Sequence, residues 1–129
     1  MRPPSSLSQV PPYEKAGVFH GTSAALEYAV CVLQVQHIIV LGHSGCDGVR
    51  QLMKGERVTT DETDGDFIDS WVKIGLPAKE RTRRFCKDKG FDAQCAYAEK
   101  ECINVSLGNL LTFPWIKERV KTRCCRPPP

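Results

Sequence analysis

Two side chains able to hold a metal stand three residues apart in HIIVLGHSGCDG, residues 37–48. They are His43 and Cys46, set among Gly42, Gly45 and Gly48. Imidazole and thiolate are preferred ligands of zinc, which takes four in structural sites and three plus a water in catalytic ones. A His-x-x-Cys turn supplies two donors, and glycines let the backbone bend tightly around an ion. The same spacing suits a histidine that caps a turn beside a cysteine acting as a small buried hydrophobe. Spacing alone leaves these two readings even.

The elements around the pair narrow the choice. His37–Gly42 is a short apolar run that reads as a strand buried on both sides. In open α/β sheets ligands bind at the carboxyl ends of strands, which is where His43 and Cys46 lie. Upstream, Thr22 or Ser23 can cap a helix running to about Leu33. Ala25, Leu26, Ala29, Val30 and Leu33 share one face of it; Glu27, Cys31 and Gln34 share the other. Downstream, Val49–Lys54 reads as a short helix stopped by Gly55. An acidic loop, DETDGD at 61–66, leads into the helix FIDSWVKIG. Pro77 interrupts, a charged helix follows near 78–89, and a long one runs from about Phe91 to Thr112 before Pro114 ends it. Helix–strand–helix order is half of a βαβ pattern, so the expected fold is α/β with a parallel sheet. Only one strand is convincing, and a lone buried strand leaves its backbone groups unpaired. The expected sheet is therefore incomplete.

The 129 residues give room for one domain. At 26% charged residues and net charge +3, the chain is too mildly basic to imply nucleic acid or an anionic membrane as partner. No apolar run approaches the roughly 20 residues that span a bilayer. MRPPSSLSQVPP lacks the apolar core of a secretory signal, so the cytoplasm is the expected location. Seven cysteines cannot all pair within one chain, and a cytosolic setting argues for ligands, thiols or core residues instead. Seven of the nine prolines fall in 1–12 and 127–129, which separates a disordered arm (1–12) and an unstructured tail (121–129) from a domain over 13–120.

GTSAALEYAVCVLQVQHIIVLGHSGCDGV (21–49) strongly resembles the β-class carbonic anhydrases, with their Gly-Thr…Leu-Glu-[Tyr/Phe]-Ala-Val helix, His-Ile-x-Val strand and Gly-His-x-x-Cys-Gly-Gly turn. VPPYEKAGVFH (10–20) resembles that family's approach segment, and INVSLGNLLTFPWIKERV (103–120) its Asn-Val…Asn-Leu…Pro helix. The resemblance spans about residues 10–120. It implies a parallel-sheet β-carbonic-anhydrase-like fold and a zinc ion held by two cysteines and a histidine. It also implies reversible hydration of CO₂ to bicarbonate by dimers or larger homo-oligomers. On this resemblance His43 and Cys46 match two zinc ligands, and Gly48 matches the second glycine of the loop on the substrate side.

The sequence also departs from the family pattern. The family's first ligand belongs to a Cys-x-Asp-x-Arg segment, and none precedes His43, where Cys31 is the first cysteine. The catalytic Asp–Arg pair is therefore unassigned, and the expectation is a fragment truncated at both ends. A non-catalytic remnant that binds zinc weakly or not at all is the alternative. Cys86-Lys-Asp-Lys mimics the missing segment in outline but ends in Lys, which lacks the planar fork of Arg. Cys31 falls on a polar helix face, whereas Phe91, Cys95, Ala98, Cys102 and Val105 share an apolar one, making Cys95 and Cys102 core residues. Asp47 replaces a usual glycine and adds negative charge beside the site.

Other signals have plainer explanations. GHSGCDGV lacks the Gly-Lys-[Ser/Thr] ending of a phosphate loop, and DETDGD lacks calcium-loop spacing. The basic residues Lys79, Arg81, Arg83, Arg84, Lys87 and Lys89 read as a solvated helix face. His20 and His37 lie outside any ligand spacing, and no Cys-x-x-Cys supports thiol redox chemistry.

Overall fold

A computed structural model describes residues 9–14, 20–55 and 66–124. In chain order the elements are α1 (Gly21–Glu27), a π turn (Tyr28–Val32), α2 (Asp47–Lys54), α3 (Asp66–Val72), a 3₁₀ turn (Lys73–Gly75), α4 (Leu76–Phe85), α5 (Phe91–Leu110) and α6 (Pro114–Cys124). Their contacts fall into two units, Met1–Gln9 with Val40–Val105, and Val10–Ile39 with Ser106–Pro129.

The first unit is built on α2 and the first fifteen residues of α5. Helix α2 buries Val49, Leu52 and Met53, while α5 buries Cys95, Ala98, Cys102 and Val105 at alternating steps of three and four. With Cys46, Val72 and Ala78 these form one core cluster. Both Cys95 and Cys102 are core residues, as their spacing predicts. Gly55 ends α2 in the left-handed conformation (φ 78°), where its N–H bonds the Gln51 carbonyl, so the expected stop is present. Pro77 sits in the first turn of α4 and so starts that helix rather than interrupting one. Lys79 departs from the expected solvated face: it is buried, and burial pushes its ammonium below its ordinary pKa. The acidic loop at 61–66 lies, apart from the Asp66 backbone, outside the described residues.

In the second unit, α6 packs against the π turn, and Phe113 is fully buried against the rings of Tyr13 and Trp115. Three bonds fasten the segment near Tyr13: Val10 N–H to Ser106 Oγ (3.2 Å), Tyr13 N–H to Thr112 Oγ1 (2.8 Å), and Asn109 Nδ2 to the Val10 carbonyl (2.8 Å). The arm expected to be disordered through residue 12 is therefore held from Gln9 onward, because its backbone finds helix side chains as partners. At the other end α6 continues to Cys124, four residues into the tail expected to be unstructured. Helix propensity across KERVKTR carries it there. The residues beyond lie outside the described set.

Two expectations fail for one physical reason. Among the described residues no strand ladder forms, and His37–Gly42 has no regular secondary structure. Of the predicted apolar face on the first helix, only Val30 is buried, while Leu33 stays 59% exposed. A strand is held by bonds to neighbouring strands, and no described segment supplies one. Without a sheet, side chains meant to pack on it face water: Ile39 is 77% exposed and Leu41 71%.

Candidate metal centre

The turn that carries the two donors is shaped by backbone conformation. Gly45 adopts φ 66°, a left-handed geometry that costs other residues roughly 1–2 kcal/mol. The chain then enters α2 with Cys46 as the N-cap residue, in extended conformation (φ −77°, ψ 112°). An N-cap side chain normally bonds back to the helix, but that of Cys46 makes no such bond. Its thiol is left uncommitted, although the residue is only 5% exposed. Asp47, exposed in the first turn of α2, is a favourable charge at a helix N-terminus. Gly48 follows it, half-buried in the same turn.

His43 is exposed, with Nδ1 3.2 Å from the Ser44 carbonyl oxygen. In the tautomer with its proton on Nδ1, this contact is a donated hydrogen bond and leaves the Nε2 lone pair free. His43 and Cys46 line one cleft of about 30 Å³, together with Gln9, Gly42, Val49, Glu99, Cys102 and Ile103. That is room for a water or a small ion.

Helix α5 and Gln9 supply the cleft residues that sequence reasoning missed. The Cys46 N–H donates to Glu99 Oε1 at 3.0 Å. Gln9 Nε2 donates to Cys102 Sγ at 3.7 Å, and Gln9 Oε1, also buried, has no partner among the described residues. Burial is the main cause that pushes the Cys102 thiol up to about 11; the Gln9 bond works against it. Glu99 was open to detection, since it lies between Cys95 and Cys102 on their side of the helix. Gln9 carried no signal, being a lone polar residue in a proline-rich stretch.

As a pair the donors fit zinc in kind, an imidazole and a thiol at one small cleft. In number they do not complete a site: among the described residues no three His, Cys, Asp or Glu side chains come together to hold a metal. Cys31 is exposed and Cys86 is buried without lining the cleft. His20 and His37 are exposed.

Among the described residues the site is a helical layer with an imidazole and a thiol on a glycine-bent turn, and comparison with known proteins gives its class. The carbonic anhydrase family model matches residues 8–126. Beta carbonic anhydrase 3 of Arabidopsis thaliana is 48% identical over 113 residues, which is 88% of this chain and 43% of that protein. Chloroplastic beta carbonic anhydrase 5 of the same plant is 47% identical over 113 residues, 87% of this chain and 36% of that one. Among solved structures, the β-carbonic anhydrase CcaA matches with a TM-score of 0.78 at 28% identity, over 89% of this chain and 53% of its own. The chain belongs to the β-class carbonic anhydrase family. It spans less than half the length of these two curated relatives. No helix among the described residues is long and apolar enough to cross a membrane.

Proposed function

We propose that this chain carries part of the active centre of an enzyme that reversibly hydrates CO₂ to bicarbonate. One observation carries the reading beyond family membership: His43 and Cys46, three residues apart, line a single small cleft with the thiol free of capping duty. In this reading they are two of the zinc ligands, and Gly48 borders the substrate side. A zinc ion bound in such a site supplies Lewis acidity that brings the ionisation of water near neutral pH. The chain's own contribution is to fix the two donors: Gly45 bends the turn, the Ser44 carbonyl orients the imidazole, and the core of α2 and α5 anchors Cys46. The cytoplasm and a homo-oligomeric assembly belong to the same reading.

A second reading, a non-catalytic remnant, is favoured by the incomplete donor set among the described residues. Zinc content and CO₂ hydration, measured on the purified chain and on His43→Ala, separate the two. Hydration that is present in the wild type and lost with zinc in His43→Ala supports the enzyme. A wild type saturated with zinc that gives no hydration makes the chain a remnant.

A further inference from the structure

Glu99 does for α2 what a capping box does from within a helix. In a capping box the acid at the third helical position reaches back to the N–H of the N-cap residue. In α2 that third position is Val49, which has no acceptor to offer. The N-cap N–H, that of Cys46, instead donates to the carboxylate of Glu99, 53 residues away on α5 (3.0 Å). The acid therefore comes from the helix against which α2 packs, on the side where Cys95, Ala98 and Cys102 join the shared core. Two consequences follow. The N-cap amide of Cys46 has a charged acceptor, while its thiol makes no cap bond. The turn holding His43 and Cys46 is also tied to a twenty-residue helix rather than to its own short one.

We propose that Glu99 is a positioning residue for the metal-donor turn: its carboxylate fixes the Cys46 backbone so that thiol and imidazole face the cleft together. The proposal rests on the reading of His43 and Cys46 as metal ligands. Partners that orient ligands characteristically change metal affinity by about 10- to 100-fold when removed. The acceptor itself is what matters here, so a carboxamide retaining Oε1 should serve, whereas a methyl group should not.

The test uses the full chain as wild type, Glu99→Ala and Glu99→Gln, titrated with cobalt(II) and zinc. Metal affinity comes from competition with a chromophoric chelator, and the thiolate–cobalt absorption band reports Cys46. Exchange of the Cys46 amide proton is followed by NMR in the same samples. The expected result is an affinity about 10- to 100-fold weaker in Glu99→Ala, with faster Cys46 amide exchange and an unchanged far-ultraviolet spectrum. Glu99→Gln should stay within about threefold of wild type. Equal affinity in wild type and Glu99→Ala overturns the proposal. If Glu99→Ala unfolds, Glu99→Gln decides: near-wild-type affinity upholds the acceptor role, and a loss as large as that of a Cys46→Ala control overturns it. A wild type that takes up neither metal overturns the ligand reading instead. Amide exchange then decides Glu99 alone, since protection lost in Glu99→Ala upholds the clamp and protection unchanged overturns it.

Discussion

Cys102 gives the fold a measurable weakness at alkaline pH. Its residue is 7% exposed within the core of α2 and α5, and burial is the first cause that raises its thiol from an ordinary 9.0 to about 11. Below pH 9 the folded and unfolded chains both keep the proton, and the thiol contributes no pH dependence. Between 9 and 11 the unfolded chain gives the proton up while the folded chain retains it. The native state then binds more protons than the unfolded one, so stability falls as pH rises. With a two-unit gap the loss is about 1.4 kcal/mol at pH 10 and about 2.3 kcal/mol at pH 11. Burial also raises the Cys95 thiol, so the discriminating quantity is a difference. Urea unfolding of metal-free wild type and Cys102→Ala at pH 8, 9, 10 and 11 supplies it. Cys102→Ala should be the less stable at pH 8, because a buried side chain is truncated, yet the two curves should converge by about 1.4 kcal/mol at pH 10. Parallel curves for the two proteins would refute the argument that burial holds this thiol protonated.

Two further outcomes follow from local geometry. Gly45→Ala forces a side chain into left-handed backbone and should cost roughly 1–2 kcal/mol in urea unfolding. Gly45→Asn should recover part of that loss, because asparagine tolerates this region. The double change Ile39→Lys, Leu41→Lys places charge on the most exposed part of an unpartnered apolar run. It should lower concentration-dependent light scattering without changing helix content by circular dichroism, because exposed apolar segments with free backbone groups promote association. Scattering equal to wild type would show that the run is shielded in solution.

The legible parts of the fold were those governed by local rules. Gly55 stops α2 because only a left-handed residue ends a helix that way. Cys95 and Cys102 are buried because their helical spacing puts them on one face. That His43 and Cys46 line one cleft was legible for the same reason, being two residues on a single turn. What stayed hidden depends on distant partners. HIIVLG reads as a strand from composition, but pairing decides strands, and no described segment pairs with it. Lys79 belongs to a basic run, yet it is buried, with its Nζ close against Gly55 at the end of α2. Pro77 carries opposite meanings inside a helix and at its first turn, and only the register of the preceding 3₁₀ turn tells which applies. Gln9 reaches the site through tertiary packing, about which spacing along the chain is silent; spacing gives the side of α5 that Glu99 occupies, but not its partner on α2.

The π turn at Tyr28–Val32 also sets how the first helix releases its chain. The Leu33 amide closes on the carbonyl of Tyr28, five residues back, so this last turn takes in one more residue than an α-helical turn does. The helix ends there, with Leu33 as its cap and Gln34 in the left-handed region at φ 54°. Removing one residue would turn the wide closing turn into an ordinary α-helical one, so the point on the rim from which the chain leaves is set by that extra residue.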